Sequence, residues 1–355
     1  MFRRRWSGLP PDPIFASDLS ELGYFINDED EIRSLTNPDN YFKFFVSKNE
    51  RWNERQLFHM NEAIGNVIHA RLEAEGLEKI LLPLGTTDTS KPHVVIRASS
   101  DMGNKARVVV VLGQSVQDFG VLAHRVIGGR GGINKGSIIS LVQGLKQQRA
   151  SATDSSAPGI LIANPGELYW WPEGQRSLSP SARHAIPMSS SVHLGRYYDP
   201  VKNGIPENAT PAEHVQHIFD KVVPALVPAA ARLDVIAVGD VAEEVEDYLN
   251  DDAVWARLGS RMNSLVVLGG FYHSDRFKCD GFKTFMKDQA RAYAMHHEPL
   301  DTPFTGPGGN PQAAGFTAYG CPAFSAGDAN VTETILIEAQ AAVLKWSQEV
   351  ALAGA

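Results

Sequence analysis

Beyond Lys105 the chain alternates short apolar, β-branched runs with amphipathic stretches, and this alternation restricts the fold more than any other feature. The runs fall at 108–113, 160–164, 233–238, 265–269, 292–295 and 322–326. Between them, residue spacing predicts helices near 136–149, 211–228, 241–249 and 333–350. Strands without a polar face need cover on both sides, and helices wound on both faces of a parallel sheet supply it. The expected fold class is therefore α/β, a doubly wound and mostly parallel sheet. A chain of 355 residues, 43% hydrophobic, can bury the core that such a sheet requires.

The N-terminal part reads differently. Leu57, Met60, Ile64, Val67, Ile68 and Leu72 recur at helical spacing and Gly76 supplies a stop, which predicts one long amphipathic helix. The residues before it are polar and aromatic without a period, and Phe42, Phe44 and Phe45 are expected to dock them on the main body. The expected division is an N-terminal helical extension over 1–80, packed on the core, and the α/β domain over 81–355. Stretches 150–158 and 302–315 are loop-like in composition.

A net charge of −8 counts against a protein that wraps duplex nucleic acid. Basic residues do cluster locally: Arg3, Arg4 and Arg5 open the chain, and Arg125, Arg130, Lys135, Lys146 and Arg149 lie close in sequence. They form either a solvated surface or a basic patch. The two cysteines, Cys279 and Cys321, cannot build a disulfide framework, which fits a reducing compartment. No apolar run approaches a membrane span, and no apolar stretch follows the opening arginines. A soluble, cytoplasmic protein is expected, with no membrane partner.

Several motifs invite a chemical reading. The stretch GGRGGINKG at 128–136 is no phosphate loop, because Lys135 is followed by Gly136 before Ser137. It reads as a flexible glycine loop bordering a cleft. His214 and His217 share a helix face with Asp220, but without a further metal ligand they read as a solvated face. His296 and His297 follow a strand and precede Glu298 and Asp301; neighbours on an extended chain point opposite ways, so at most one faces a site. Trp170 and Trp171 line an aromatic pocket or cap the core.

The most informative junction is LDVIAVGDVAEEVEDYLN at 233–250. A buried strand, a glycine turn and a helix form the layout of a nucleophile elbow, yet the apex is Gly239 or Asp240 and never serine. Asp240 and Glu243 stand at i and i+3 on the first helical turn. They make either a capping box or an acidic pair able to hold a cationic amine or guanidinium, or to move a proton.

On the segments MFRRRWSGLP, ELGYFINDEDEIRS, GVLAHRVIGGRGGINKGS, HHEPLDTP and CPAFSAGDANVTET, the chain resembles fungal proteins carrying the argonaute-binding domain of the siRNA chaperone complex. That domain also occurs at the C-terminus of class II histone deacetylases. The resemblance implies an α/β-hydrolase-like fold. Some members keep a histidine in the last strand–helix loop, where this chain has Val331 within SAGDANVTE. Lacking both serine and histidine, it is expected not to hydrolyse in that manner.

In outline the chain is also similar to the fungal arginine-containing cyclodipeptide synthases, whose functional D-x-x-E motif is matched by Asp240 and Glu243. This narrower resemblance implies a tRNA-dependent enzyme of secondary metabolism. It would join an arginyl group and a second aminoacyl group into a cyclic dipeptide, with arginyl-tRNA and another aminoacyl-tRNA as partners and neither cofactor nor metal. Asp240 and Glu243 would bind the arginyl moiety or accept the attacking amine's proton. Gly113 and Gln114, after the first central strand, would offer oxyanion donors by analogy. Asn164, Trp170 and His296 would line the substrate site, and Arg130, Lys135, Lys146 and Arg149, with Arg3–Arg5, would take tRNA phosphates. Transfer would run either directly between two bound aminoacyl esters or through a covalent route on a serine elsewhere, such as Ser115 or Ser137. The synthase is the main expectation. Its competitors are a catalytically inactive argonaute-binding or chromatin-silencing scaffold, and a hydrolase with Asp240 as nucleophile and His296 or His297 as base.

Overall fold

The computed structural model describes residues 8–193, 196–308, 318–327 and 331–353. Nine strands form one sheet: β1 (Leu77–Leu82), β2 (Val94–Ser99), β3 (Arg107–Leu112), β4 (Gly159–Ala163), β5 (Arg232–Val238), β6 (Met262–Leu268), β7 (Ala290–Ala294), β8 (Pro303–Thr305) and β9 (Ala323–Ser325). Their spatial order is β8-β9-β7-β6-β5-β3-β4-β2-β1. From β4 across to β9 every neighbouring pair is parallel. The strand β2 runs against both β1 and β4, and the short edge strand β8 runs against β9. The result is a doubly wound, mostly parallel α/β-hydrolase-like sheet.

The six apolar runs of the sequence are β3, β4, β5, β6, β7 and β9. In β3, β4 and β6 every residue is buried, as a strand covered on both faces demands. Val108, Val110 and Leu112 point to one layer, and Val109 and Val111 to the other. The second layer is closed by α1 (Glu50–Ala74), α2 (Ile139–Lys146) and, near the C-terminus, the helix Ile335–Ala353. The first is closed by α3 (Pro211–His217), α4 (Val241–Leu249) and α5 (Asp280–Gln289). Spacing did not mark β1, β2 or α5. The segment expected as one helix over 211–228 is α3, a π-turn over Ile218–Val222 and a last turn over Val223–Leu226.

The helix α1 starts where the Asn49 side chain accepts the Arg51 N–H and stops before Gly76, whose φ of +82° suits a residue without Cβ. Its Met60, Ile64, Ile68 and Leu72 are buried against the sheet, worth about 1.5–3 kcal/mol for each large side chain. Residue 80, the expected end of the extension, falls inside β1, which pairs with β2 along its full length. Buried Arg51 and Arg55 fasten the preceding segment: Arg51 donates two 2.7 Å bonds to Asp12, and Arg55 donates to the Pro13 and Ala185 carbonyls. Phe42 docks on Tyr24 as expected, whereas Phe45 is 72% exposed.

At the N-terminal edge of the sheet, Arg107 of β3 is ion-paired with Asp234 of β5, and both are almost wholly buried. Asn263 and Ser264 of β6 donate to the same carboxylate, at 2.8 and 2.6 Å. This network fixes the three central strands in relative register. It leaves the opposite, C-terminal edge for the site.

Candidate functional site

The strand β5 ends at Val238, and Gly239 turns the chain with a φ of +66°. Gly239 is therefore the elbow apex, the position a nucleophile occupies in this fold. Its N–H donates to the Leu268 carbonyl at 2.7 Å. A Cβ placed on Gly239 would lie 2.9 Å from Cγ of Gln114, so the Gln114 side chain fills the space a nucleophile would use. Gln114 is held there by a 3.2 Å bond from Nε2 to the Thr332 carbonyl, at the start of the C-terminal helical segment. The sequence placed Gln114 at this edge as an oxyanion donor. That expectation concerned its backbone N–H and that of Gly113; the Gln114 side chain plugs the apex.

Asp240 follows in helical backbone conformation, and its side chain caps nothing. An N-cap needs extended backbone, which the preceding turn denies it. The capping-box reading thus fails. The Asp240 carboxylate reaches across to the loop after β3, where it accepts the Ser115 N–H at 3.3 Å and the Ser115 hydroxyl. Burying Val241, Ala242, Val245 and Leu249 against the core turns Glu243 and Glu246 toward one side of α4. Glu246 is 1% exposed, and among the described residues neither of its carboxyl oxygens has a hydrogen-bond partner. Burial, reinforced by nearby Glu243, raises its pKa well above the carboxylate range. Burial also pushes the Cys321 thiol up, and the neighbouring Glu246 adds to the shift. Glu244 is raised by burial first and then by Asp247, Asp240 and Glu243. The sequence showed an acidic pair. The fold makes a row of acids, with its innermost carboxyl, Glu246, buried.

The remaining residues expected at the site scatter. Asn164 is buried and its polar atoms are spent: its N–H donates to His214 Nε2 at 3.0 Å, and its amide donates to the Val95 carbonyl and to Glu167. Trp170 is 2% exposed and packs on His93 in the core, so the pocket-lining reading fails for it. His296 lies after β7 and its Nδ1 accepts the Glu298 N–H at 3.2 Å. His214, expected on a solvated face, is wholly buried; its Nδ1–H donates to Asn208 at 2.7 Å, and burial pushes its pKa down to about 3. His217 is buried as well, beside Glu207. Among the described residues no group of His, Cys, Asp or Glu is placed to hold a metal ion.

The glycine stretch borders a cavity, with Gly131, Asn134 and Lys135 facing Asp30 and the C-terminal helix. Gly132 packs on Asp30 so closely that a Cβ would sit 2.3 Å from its carbonyl oxygen, and the Asn134 N–H donates to the Asp30 carboxylate at 2.6 Å. The basic residues do not form one patch. Lys146 pairs with Glu75 at 2.6 Å and Arg125 with Glu333 at 2.8 Å. The Arg149 carbonyl accepts from Arg107, which places it at the N-terminal edge of the sheet, opposite Asp240. Arg130 and Lys135 are exposed, and Arg3, Arg4 and Arg5 lie outside the described residues.

Residues 15–300 match the family model of the Arb2 domain. The chain belongs to the Arb2 domain family. No curated protein matches it. Solved structures similar to this Arb2 domain include the esterase LipW from Mycobacterium marinum, at 14% identity over 64% of this chain and 54% of that one, TM-score 0.29. The chain thus spans about half the length of that esterase. A hyperthermophilic esterase from the archaeon Pyrobaculum calidifontis matches at 10% identity, over 83% of this chain and 96% of that one, TM-score 0.32. The esterase Est22 matches at 8% identity, over 86% and 94%, TM-score 0.31.

What the elbow of this Arb2 domain can do follows from its groups. Gly239 has no atom to attack a carbonyl carbon, and the Gln114 amide beside it is neither base nor nucleophile. Asp240, Glu243 and Glu246 can accept hydrogen bonds from a cation, the last only if a ligand reaches its buried carboxyl. Among the described residues no helix is long and apolar enough to cross a membrane.

Proposed function

We propose that the chain is a non-hydrolytic, argonaute-binding scaffold in which the α/β-hydrolase fold serves as a rigid docking body. One observation carries this reading: the nucleophile position is Gly239, and Gln114 occupies the room its side chain would need. Membership of the Arb2 domain family supports it. So does the surface near the start of α1, where Ile14, Phe45, Val46 and Trp52 are exposed. Phe15 joins the first of these to the last through a ring contact with Trp52 at 6.0 Å, and the Val46 N–H donates to Asn53. Apolar side chains grouped on a folded surface mark a protein-contact site. The net charge of −8 suits a basic protein partner better than bare RNA.

The test is co-elution of the purified chain with a purified argonaute on size exclusion, beside the double variant Phe45→Ser/Trp52→Ser. A complex formed by the native chain and lost in the variant supports the scaffold. No complex, or one indifferent to these side chains, overturns it.

The acidic row on α4 favours a second reading, the tRNA-dependent cyclodipeptide synthase that uses arginine. Carboxylates grouped at the elbow, Asp240, Glu243 and Glu246, suit a guanidinium, which pairs with carboxylates bidentately. An activated aminoacyl ester requires positioning and a base more than a new nucleophile. Mass spectrometry of extracts from yeast expressing the chain, beside an Asp240→Ala control, decides it. Arginine-containing cyclic dipeptides in the unmutated strain alone would establish the synthase; their absence from both, with soluble protein present, removes it.

A further inference from the structure

A second polar cavity lies in the other half of the sheet. It has a volume of about 300 Å³ and opens between α1, the first two strands and the small hairpin of Tyr169–Trp171 and Arg176–Leu178. Neither the family nor the elbow chemistry accounts for it. Its inner end is acidic. Glu167, four residues beyond β4, accepts the Phe119 N–H on Oε1 at 3.0 Å and the Asn164 amide on Oε2 at 2.9 Å. A carboxylate offers about four acceptor positions, so two remain for a ligand. Asp118 stands beside it, paired with His124 at 3.1 Å. Burial, then the charge of Asp118, pushes Glu167 up to about 7.

The outer end is basic. Lys79 is exposed and has no hydrogen-bond or ion-pair partner among the described residues. Arg176 is held at the rim by Glu62, 3.1 Å away, and its charge reaches both inner carboxyls. Between the ends, the His69 ring lies flat on Phe119 with centroids 5.1 Å apart. Burial and nearby Arg97 and Lys79 push its pKa down to about 4, so it is a neutral wall. A volume at the lower limit of small-molecule sites sets the size of any occupant.

We propose that this cavity binds a small zwitterion of free amino-acid size, its cationic nitrogen at Glu167 and Asp118 and its anionic group at Lys79 and Arg176. The site is separate from the elbow and does not depend on the function proposed for it. An entering ammonium displaces the proton that Glu167 otherwise holds, which passes to solvent, and its N–H groups fill the free acceptor positions of Glu167.

Thermal shift of the full chain with each common L-amino acid, and with 5-aminopentanoate, pentylamine and pentanoate, tests this, followed by calorimetry on the strongest binder. At least one zwitterion should raise the unfolding temperature, while pentylamine and pentanoate bind at least about tenfold more weakly than 5-aminopentanoate, since each loses one charged contact. Glu167→Gln should weaken the best zwitterion about tenfold or more. Lys79→Ala alters an exposed residue that leaves the fold untouched, and it should weaken the same ligand severalfold even if the buried variant does not fold. No response to any zwitterion at millimolar concentration would overturn the proposal. So would pentylamine binding as tightly as 5-aminopentanoate, or a Lys79→Ala variant of unchanged affinity.

Discussion

Adding one carbon at Gly239 probes the plugged elbow directly. With φ at +66°, an L-residue there costs roughly 1–2 kcal/mol in backbone strain. The new Cβ would stand 2.9 Å from Gln114 Cγ and 3.4 Å from its Cδ, so the side chain must move. Moving it sacrifices the bond to the Thr332 carbonyl, worth about 0.5–1.5 kcal/mol. Gly239→Ala should therefore destabilise the chain by roughly 2–3 kcal/mol. In a Gln114→Ala background the plug is gone, and the same substitution should cost only the backbone share, roughly 1–2 kcal/mol. Equilibrium urea unfolding of the four proteins measures the coupling, expected near 1 kcal/mol. Equal costs in both backgrounds would refute the claim that Gln114 occupies the apex.

Other consequences follow from buried charge. Asp234→Ala strands Arg107 in the core and should cost about 3–5 kcal/mol by urea unfolding, whereas breaking the exposed pair Lys283–Asp280 should leave the unfolding midpoint nearly unchanged. Glu167 is raised from 4.5 to about 7, so the native state holds a proton that the unfolded chain releases. Stability from this group is full below about 4.5 and lost as pH rises through about 7, and Glu167→Gln should flatten that fall in a pH series of unfolding temperatures. Glu246 is raised in the same direction, and Glu246→Gln should make the chain more stable above neutral pH than the native protein. If the synthase reading holds, Glu243→Gln abolishes cyclic dipeptide and leaves the circular dichroism spectrum unchanged.

Particular residues show where sequence reading works in this fold. The central strands were legible because burial on both faces leaves no polar position, and VVVVL can be little else. The strands β1 and β2 were not, because LEKILL carries charges on an edge strand whose outer face meets solvent. The elbow was legible from Val238–Gly239–Asp240, a buried strand followed at once by glycine and a helix. What fills it was not: Gln114 is far from Gly239 in sequence, and only the parallel pairing of β3 with β5 brings them together. Glu246 escaped notice for a local reason. Read in sequence, EEVED is an ordinary acidic helix surface, and the burial of its fourth residue depends on the distant segment carrying Tyr319 and Cys321. The two helix histidines misled in the opposite sense, since α3 turns His214 inward to meet Asn164 and Asn208. Asp118 and Glu167 carry no shared motif and meet only through the loops after β3 and β4.

The claim on which the proposed function rests is that this α/β-hydrolase-like elbow holds no nucleophile. Intact-mass analysis after treatment with a fluorophosphonate, followed by peptide mapping, tests it in one step. The account predicts no adduct, because Gly239 has no side chain and the Ser115 hydroxyl is bonded to the Asp240 carboxylate. A stoichiometric adduct on Ser115 would contradict it and return the chain to the hydrolases.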